Sequence, residues 1–272
     1  MKNVLTIAGS DSCAGAGIQA DLKTFASHGV YGLCAITAVT AQNTAAVTAV
    51  EELSPAIIAA QIDALFQDIH VHAVKTGMLY NTQIIRTVVQ KLEEYKPQYL
   101  VVDPVMVSTS GCNLLRPDAV DELSTRLFPL ASLVTPNIPE MKVLTGITAN
   151  NPQTALQACR KLQDETGCRN ILLKGGHSLD SPVDWLYDGK EFYSFQGERI
   201  DTNHTHGTGC TLSAAIAANL ALGKDMYSTV KNAKAYVTQA IRNGIPLGHG
   251  HGPTHHFYEL YRKAGVNIDE HQ

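Results

Sequence analysis

The sequence predicts an α/β fold: three layers, αβα, around a mostly parallel central sheet, with a small β-hairpin added. Three observations predict it. Short apolar runs alternate with amphipathic runs along most of the chain. The connections are short, with no linker, low-complexity stretch or internal repeat. The alternation breaks once, at VDWLYDGKEFYSFQ (183–196), where Asp188-Gly189 separates two aromatic-rich runs, as in a hairpin. Parallel strands need crossover helices, and those helices cover both faces of the sheet. The chain has 272 residues, 44% of them hydrophobic, and reads as one domain over 1–272.

The elements follow in order. VLTIAG (4–9) is a buried strand, and Gly15 to His28 a helix with Ile18, Leu22 and Phe25 on one face. LCAITAVTA (33–41) is the next strand. Ser54-Pro55 opens a helix, with a side-chain cap and a first-turn proline. AVKTGML (73–79) is strand-like, and Asn81 caps a helix striped by Ile84, Ile85, Val88, Val89 and Leu92. YLVVDPV (99–105) is a strand, and Pro117 starts a helix. SLVTPN (132–137) is a strand, followed by a short helix from Pro139. Asn151-Pro152 opens a helix that Gly167 ends. NILLKGG (170–176) is a strand, then comes the hairpin. A small-residue helix runs from about Cys210 to Leu222, and another from Asp225 to about Asn243.

Bulk properties exclude several classes. The net charge of −4 argues against a nucleic-acid surface, which needs a basic excess. No run of about 18 apolar residues offers a membrane span. The start, MKNVLTIAGS, has no long apolar signal core, so a cytoplasmic protein is expected. The six cysteines (13, 34, 112, 159, 168 and 210) include no CxxC pair and read as free thiols.

In open parallel sheets, ligands bind outside the carboxyl ends of the strands. Polar or glycine-rich strand ends lie at Gly9-Ser10-Asp11, Gln42-Asn43, Lys75-Thr76-Gly77, Asp103, Asn137 with Glu140, Lys174-Gly175-Gly176 and the turn 207–210. The first loop, GAGIQA (15–20), fits a dinucleotide fingerprint, but 33–42 lacks the acidic residue that holds the ribose. Close helix–strand packing, or a loop that lies against a small substrate, explains it as well. No Walker phosphate loop occurs.

The turn Gly207-Thr208-Gly209-Cys210 leads directly into a helix. Its backbone N–H groups and the helix's positive end suit a transferring phosphoryl group. The same field is expected to lower the Cys210 thiol pKa. A glycine turn capped by a small residue is the alternative. Asp103 and Glu140 suit a hard cation beside phosphates, or solvated caps. Lys174 suits phosphate contact, or a snorkelling surface position. The Gln42 amide offers a donor beside an acceptor, matching one edge of an aminopyrimidine, or bonds to backbone. Spacing in the histidine-rich GHGHGPTHHF (248–257) is poor for a metal.

Seven blocks together resemble a known family: GSDSCAGAGIQADLKTF (9–25), AVTAQNT (38–44), VKTGML (74–79), VVDPVMV (101–107), TPNIPE (135–140), LLKGGH (172–177) and DTNHTHGTGCTLSAAIAANLA (201–221). They are similar to the hydroxymethylpyrimidine/phosphomethylpyrimidine kinases of thiamine biosynthesis, in the ribokinase-like superfamily. The resemblance covers nearly the whole chain. It implies an αβα kinase, usually dimeric. Such enzymes use Mg-ATP to phosphorylate 4-amino-5-hydroxymethyl-2-methylpyrimidine and then its monophosphate. It further implies Cys210 as catalytic base within an anion hole of Gly207, Thr208 and Gly209. Gln42, Gly9, Ala16, Asp21, Met78 and Val105 are implied to bind the pyrimidine. Asp103 and Glu140 are implied to hold magnesium, and Lys174 and Asn137 to contact the nucleotide. Where the family usually reads S-G-G-A-G, this chain has Cys13-Ala14-Gly15-Ala16-Gly17. If residue 14 takes positive φ, alanine costs more than glycine there.

Three other readings compete. A pyridoxine or pyridoxal kinase shares the scaffold, and Gln42 is the discriminator, since the bifunctional kinases that resemble this chain carry Met there. A vitamin- or nucleotide-sensing binding protein would need neither a base at 210 nor the paired carboxylates. A dehydrogenase lacks its ribose-binding acid.

Overall fold

The computed structural model describes residues 1–108, 111–175 and 182–266. Among the described residues, nine strands form one sheet in the order β3-β2-β1-β4-β5-β6-β7-β8-β9. They are β1 (Asn3–Asp11), β2 (Tyr31–Gln42), β3 (Val47–Glu52), β4 (Ala73–Thr76), β5 (Leu100–Val102), β6 (Leu133–Val134), β7 (Ile171–Leu173), β8 (Val183–Tyr187) and β9 (Phe192–Gln196). The six strands β2, β1, β4, β5, β6 and β7 run parallel. β3 pairs antiparallel with β2 at one edge, and the β8–β9 hairpin antiparallel with β7 at the other.

Helices α1 (Gly17–Ser27), α7 (Thr208–Ala221) and α8 (Met226–Arg242) cover one face, packing on Val4, Ala73, Val101, Leu133 and Leu172. Helices α2 (Pro55–Asp68), α3 (Thr82–Tyr95), α5 (Ile138–Thr145) and α6 (Pro152–Thr166) cover the other, over Leu5, Ile7, Val74, Val102 and Val134. Adjacent strand residues point to opposite faces, so each strand feeds both cores. α7 is buried all round from Thr211 to Ala221, which its small apolar residues allow. A composite run follows Pro117: a 3₁₀ turn, the three-residue α4 (Val120–Glu122), a π turn (Leu123–Leu127) and a second 3₁₀ turn. α9 (Tyr258–Ala264) ends the described chain.

The capping residues act as their chemistry requires. Ser54, Asn81, Asn151 and Asp225 each accept from a backbone N–H of the first helical turn, and Gly146 and Gly167 end helices in the left-handed region. Four differences from the sequence expectations have physical causes. β3 has no apolar run because it is an edge strand with no fully buried side chain. α1 starts at Gly17 rather than Gly15, because the preceding amides turn inward to Asp11. β5 stops at Val102, just before Asp103-Pro104, where proline lacks a ladder donor. β7 stops at Leu173, and Gly176, which the expected strand included, lies outside the described residues.

β1 leaves the chain's next strand, β2, on one side and β4 on the other. This is the topological switch point, and a crevice opens at the carboxyl ends there.

Candidate active site

The crevice is a cavity of about 560 Å³. Asp11, at the end of β1, is buried, and its carboxylate accepts N–H bonds from Cys13 (2.8 Å), Gly15 (3.0 Å) and Ala16 (2.8 Å). The first loop therefore converges its amides on an anion the chain supplies itself. That leaves them unavailable to a dinucleotide's pyrophosphate. Ala14 pays the steric cost foreseen for it, at φ +62.

Opposite the first loop lies the glycine turn. Gly207 has φ +79, and α7 starts at Thr208. Thr208, Gly209 and Cys210 border the cavity beside Gly9, Ala16, Met78, Val105 and Gln42. The expectation that Cys210 has a lowered thiol pKa is corrected. Burial pushes it up to about 11, against the pull of the Lys75 charge and an N–H from Gly17. Lost hydration outweighs these stabilising contacts and disfavours the thiolate.

Asp21 is also corrected. It is absent from the cavity wall and fully buried between α1 and β4. Lys75 Nζ donates to both its oxygens, at 3.0 and 2.8 Å, and Thr6 to Oδ2 at 2.6 Å. Burial works to discharge Lys75, but the Asp21 carboxylate prevails and holds its pKa above the ordinary lysine value. Removing one partner of such a pair leaves an uncompensated buried charge.

Asp103 and Lys174 form the next pair, at 2.7 Å. Asp103 also accepts from Thr135 (3.1 Å) and Ser213 (3.2 Å). Burial opposes its ionisation, yet Lys174 and Lys75 hold the carboxyl below its usual range. Glu140 stands at the first turn of α5 in a capping box: Asn137 Oδ1 accepts its N–H, and its Oε2 accepts the N–H of Asn137, both at 2.8 Å. Burial pushes its carboxyl up to about 7, against Lys174 and with Asp103 adding to the rise. A cation brought to this pair would relieve both burial and repulsion. The donors are hard oxygens, which suits a hydrated magnesium ion using one or two carboxylates plus phosphate. Among the described residues, no group of three or more His, Cys, Asp and Glu is arranged to hold a metal by itself.

The cavity continues past Lys174 to Asp184, Ile200, Thr202, Lys234, Val237 and Ile241. Lys234 bonds Asp184 at 2.7 Å, and Asp184 accepts the Gly175 N–H, so this wall ties the hairpin to α8. Sequence reasoning assigned these residues no role. It also missed His206, whose Nε2 lies 2.8 Å from Asp11 Oδ2 and 3.1 Å from the Gln42 amide nitrogen. Its position directly before the glycine turn was the available signal.

The tail serves as a strap. His206 N–H bonds Gly252 O, Thr254 N–H bonds His206 O, and His251 N–H bonds Thr44 O. His256 packs its Nε2 3.0 Å from Thr211 Oγ1, and burial drives its pKa down to about 3. All six cysteines are free thiols. Among the described residues, no helix is long and apolar enough to cross a membrane.

Residues 11–255 match the phosphomethylpyrimidine kinase family model. The chain is 51% identical over 255 residues to the thiamine biosynthesis bifunctional protein ThiED of Geobacter sulfurreducens, covering 93% of this chain and 52% of that longer protein. It is 48% identical over 263 residues to the hydroxymethylpyrimidine/phosphomethylpyrimidine kinase of Haemophilus influenzae, covering 94% of this chain and 97% of that one. The pyridoxal kinase of Staphylococcus aureus, solved in complex with AMP-PCP, superposes with a TM-score of 0.87 at 37% identity, over 94% of this chain and 93% of that one. A nine-stranded αβα sheet with its crevice at the switch point, joined to a family match over residues 11–255, places this chain in the phosphomethylpyrimidine kinase family.

Proposed function

We propose that the protein transfers the γ-phosphoryl group of ATP to the hydroxymethyl oxygen of 4-amino-5-hydroxymethyl-2-methylpyrimidine, then a second to the resulting monophosphate, in thiamine biosynthesis. One observation carries the proposal: the Gln42 amide and the Cys210 thiol border one cavity, with the Asp103–Lys174 pair beside them. The ring lies against Gly9, Ala16, Met78 and Val105, with its amino edge at Gln42. Its hydroxymethyl group then faces Cys210.

The triphosphate lies over Gly207, Thr208 and Gly209. The backbone donors and the α7 N-terminus take up charge as the phosphoryl group transfers. Lys174 contacts a phosphate oxygen, Asn137 borders the same end, and the nucleoside extends toward Val237 and Ile241. Asp103 and Glu140 would hold magnesium, which neutralises phosphate charge when bound. The hydroxymethyl proton passes to Cys210 Sγ. That requires the thiol first to give its own proton to solvent, which burial resists and Lys75 favours. The protein acts as a cytoplasmic homodimer, in keeping with the family resemblance.

Pyridoxal phosphorylation is the second reading, favoured by the likeness to the S. aureus kinase. Incubating the protein with Mg-ATP and each of hydroxymethylpyrimidine, its monophosphate and pyridoxal, followed by phosphorus NMR, separates the two. Both pyrimidines are expected to turn over, with pyridoxal far slower. Pyridoxal as the best substrate overturns the assignment.

A further inference from the structure

Asp11 and Gln42 meet at one atom of His206. Asp11 is held ionised: burial works against it, but hydrogen bonds from His206, Ala16 and Cys13 prevail. A carboxylate only accepts, so the hydrogen facing Asp11 belongs to His206 Nε2. An amide nitrogen only donates, so Gln42 Nε2 at 3.1 Å from that same atom sets donor against donor. Rotating the amide about its last bond exchanges its oxygen and nitrogen. The oxygen then shares the Nε2–H with Asp11, and the nitrogen faces Thr40 Oγ1, 3.4 Å from the other end of the amide. That hydroxyl gives its own hydrogen to the Ser10 carbonyl at 2.9 Å and is left free to accept. The imidazole thus requires this orientation, and the Thr40 hydroxyl accommodates it as an acceptor.

We propose that His206 is a positioning residue for substrate choice: anchored by Asp11, it fixes the Gln42 amide with its oxygen toward the imidazole and its NH₂ toward Thr40. The inference rests on the pyrimidine-kinase reading above. An amide so fixed presents acceptor and donor in one set order. That order suits a ring nitrogen beside an exocyclic amino group. A 4-oxo ring carries N–H and C=O in the reverse order and is refused. An amide without its anchor rotates and reads both.

The test compares kcat/KM for 4-amino-5-hydroxymethyl-2-methylpyrimidine and its 4-oxo analogue in the parent, His206→Leu and His206→Gln proteins. The glutamine nitrogen takes the place of imidazole Nε2. The parent should prefer the amino ring. His206→Leu should narrow the preference about tenfold, one hydrogen bond's worth, while His206→Gln keeps it within about threefold. Should His206→Leu fail to fold, His206→Asn, whose amide falls short of Gln42, takes its place with the same expectation. A merely structural role slows both substrates by one factor, and an unchanged ratio in His206→Leu, or in His206→Asn where that stands in for it, overturns the inference. So does a parent indifferent to the two rings. A parent inactive on the amino pyrimidine overturns the function reading itself, an outcome distinct from an active parent with an unchanged ratio.

Discussion

A methyl group added at Gly207 would lie 1.8 Å from the carbonyl oxygen of Gly15. The glycine turn and the first loop therefore touch backbone to backbone. The contact sets the spacing between the first loop and the backbone N–H groups at the start of α7, which are the proposed substrate floor and phosphoryl donors. At φ +79 a side chain is strained as well.

Gly207→Ala should push these two segments apart. Misplacement of about 1 Å costs on the order of 100-fold in rate. We expect that loss in kcat/KM, with most of the fold intact by circular dichroism. Parent-like turnover would show that the spacing is not critical.

Cys210→Ala should separate the two phosphorylations. The hydroxymethyl acceptor must lose a proton, and removing a general base costs about 10²–10⁴-fold. The monophosphate acceptor is already anionic near neutral pH, since its second pKa is about 6. Its loss should stay below about tenfold. Because burial raises the Cys210 thiol to about 11, the first step in the parent should also speed up as pH rises from 6 to 9. In the variant that rise should vanish. Equal losses on both acceptors, read by phosphorus NMR, would remove Cys210 from the proton path.

Glu140 links stability to pH. Its carboxyl rises from 4.5 to about 7 on folding, because burial disfavours the charged form. A raised pKa means that the folded state binds the proton more tightly. The stabilisation is complete below 4.5 and is lost as pH climbs to about 7, an effect of about 3 kcal/mol. Glu140→Gln should erase that slope, so urea unfolding at pH 8 should favour the variant over the parent. A parent and variant with parallel pH profiles would contradict the burial argument.

Ala14→Gly should stabilise the protein by about 1 kcal/mol, the approximate cost of a left-handed alanine. Thermal unfolding measures it. No gain would mean that the unfolded chain's added freedom cancels the relief.

Much of this was legible in the sequence because the signals are local. Ser54-Pro55, Asn81, Asn151-Pro152 and Asp188-Gly189 each act through neighbours within a few residues. The cavity-lining positions at the strand ends, such as Gly9, Gln42, Asp103 and Lys174, were legible because strand ends on one edge of a parallel sheet converge. What escaped depends on partners far along the chain. Asp11 meets His206 across 195 positions. Asp21 reads as a helix-face carboxylate until Lys75 is seen to bury it across 54. The Cys210 expectation failed because a helix start is visible in sequence and the depth of burial is not. β3 escaped because an edge strand needs no continuous apolar run.

The tail strap sets an order of assembly. β1 and the first loop leave the ribosome early and the glycine turn some 200 residues later. Gly252 and Thr254, which bond both backbone groups of His206, follow the glycine turn by about forty residues and lie beyond the last strand, β9. Until they arrive, a nascent chain can hold every strand of the sheet and still lack a fixed His206. If His206 sets substrate choice as proposed, selectivity depends on a segment that the sheet itself does not contain.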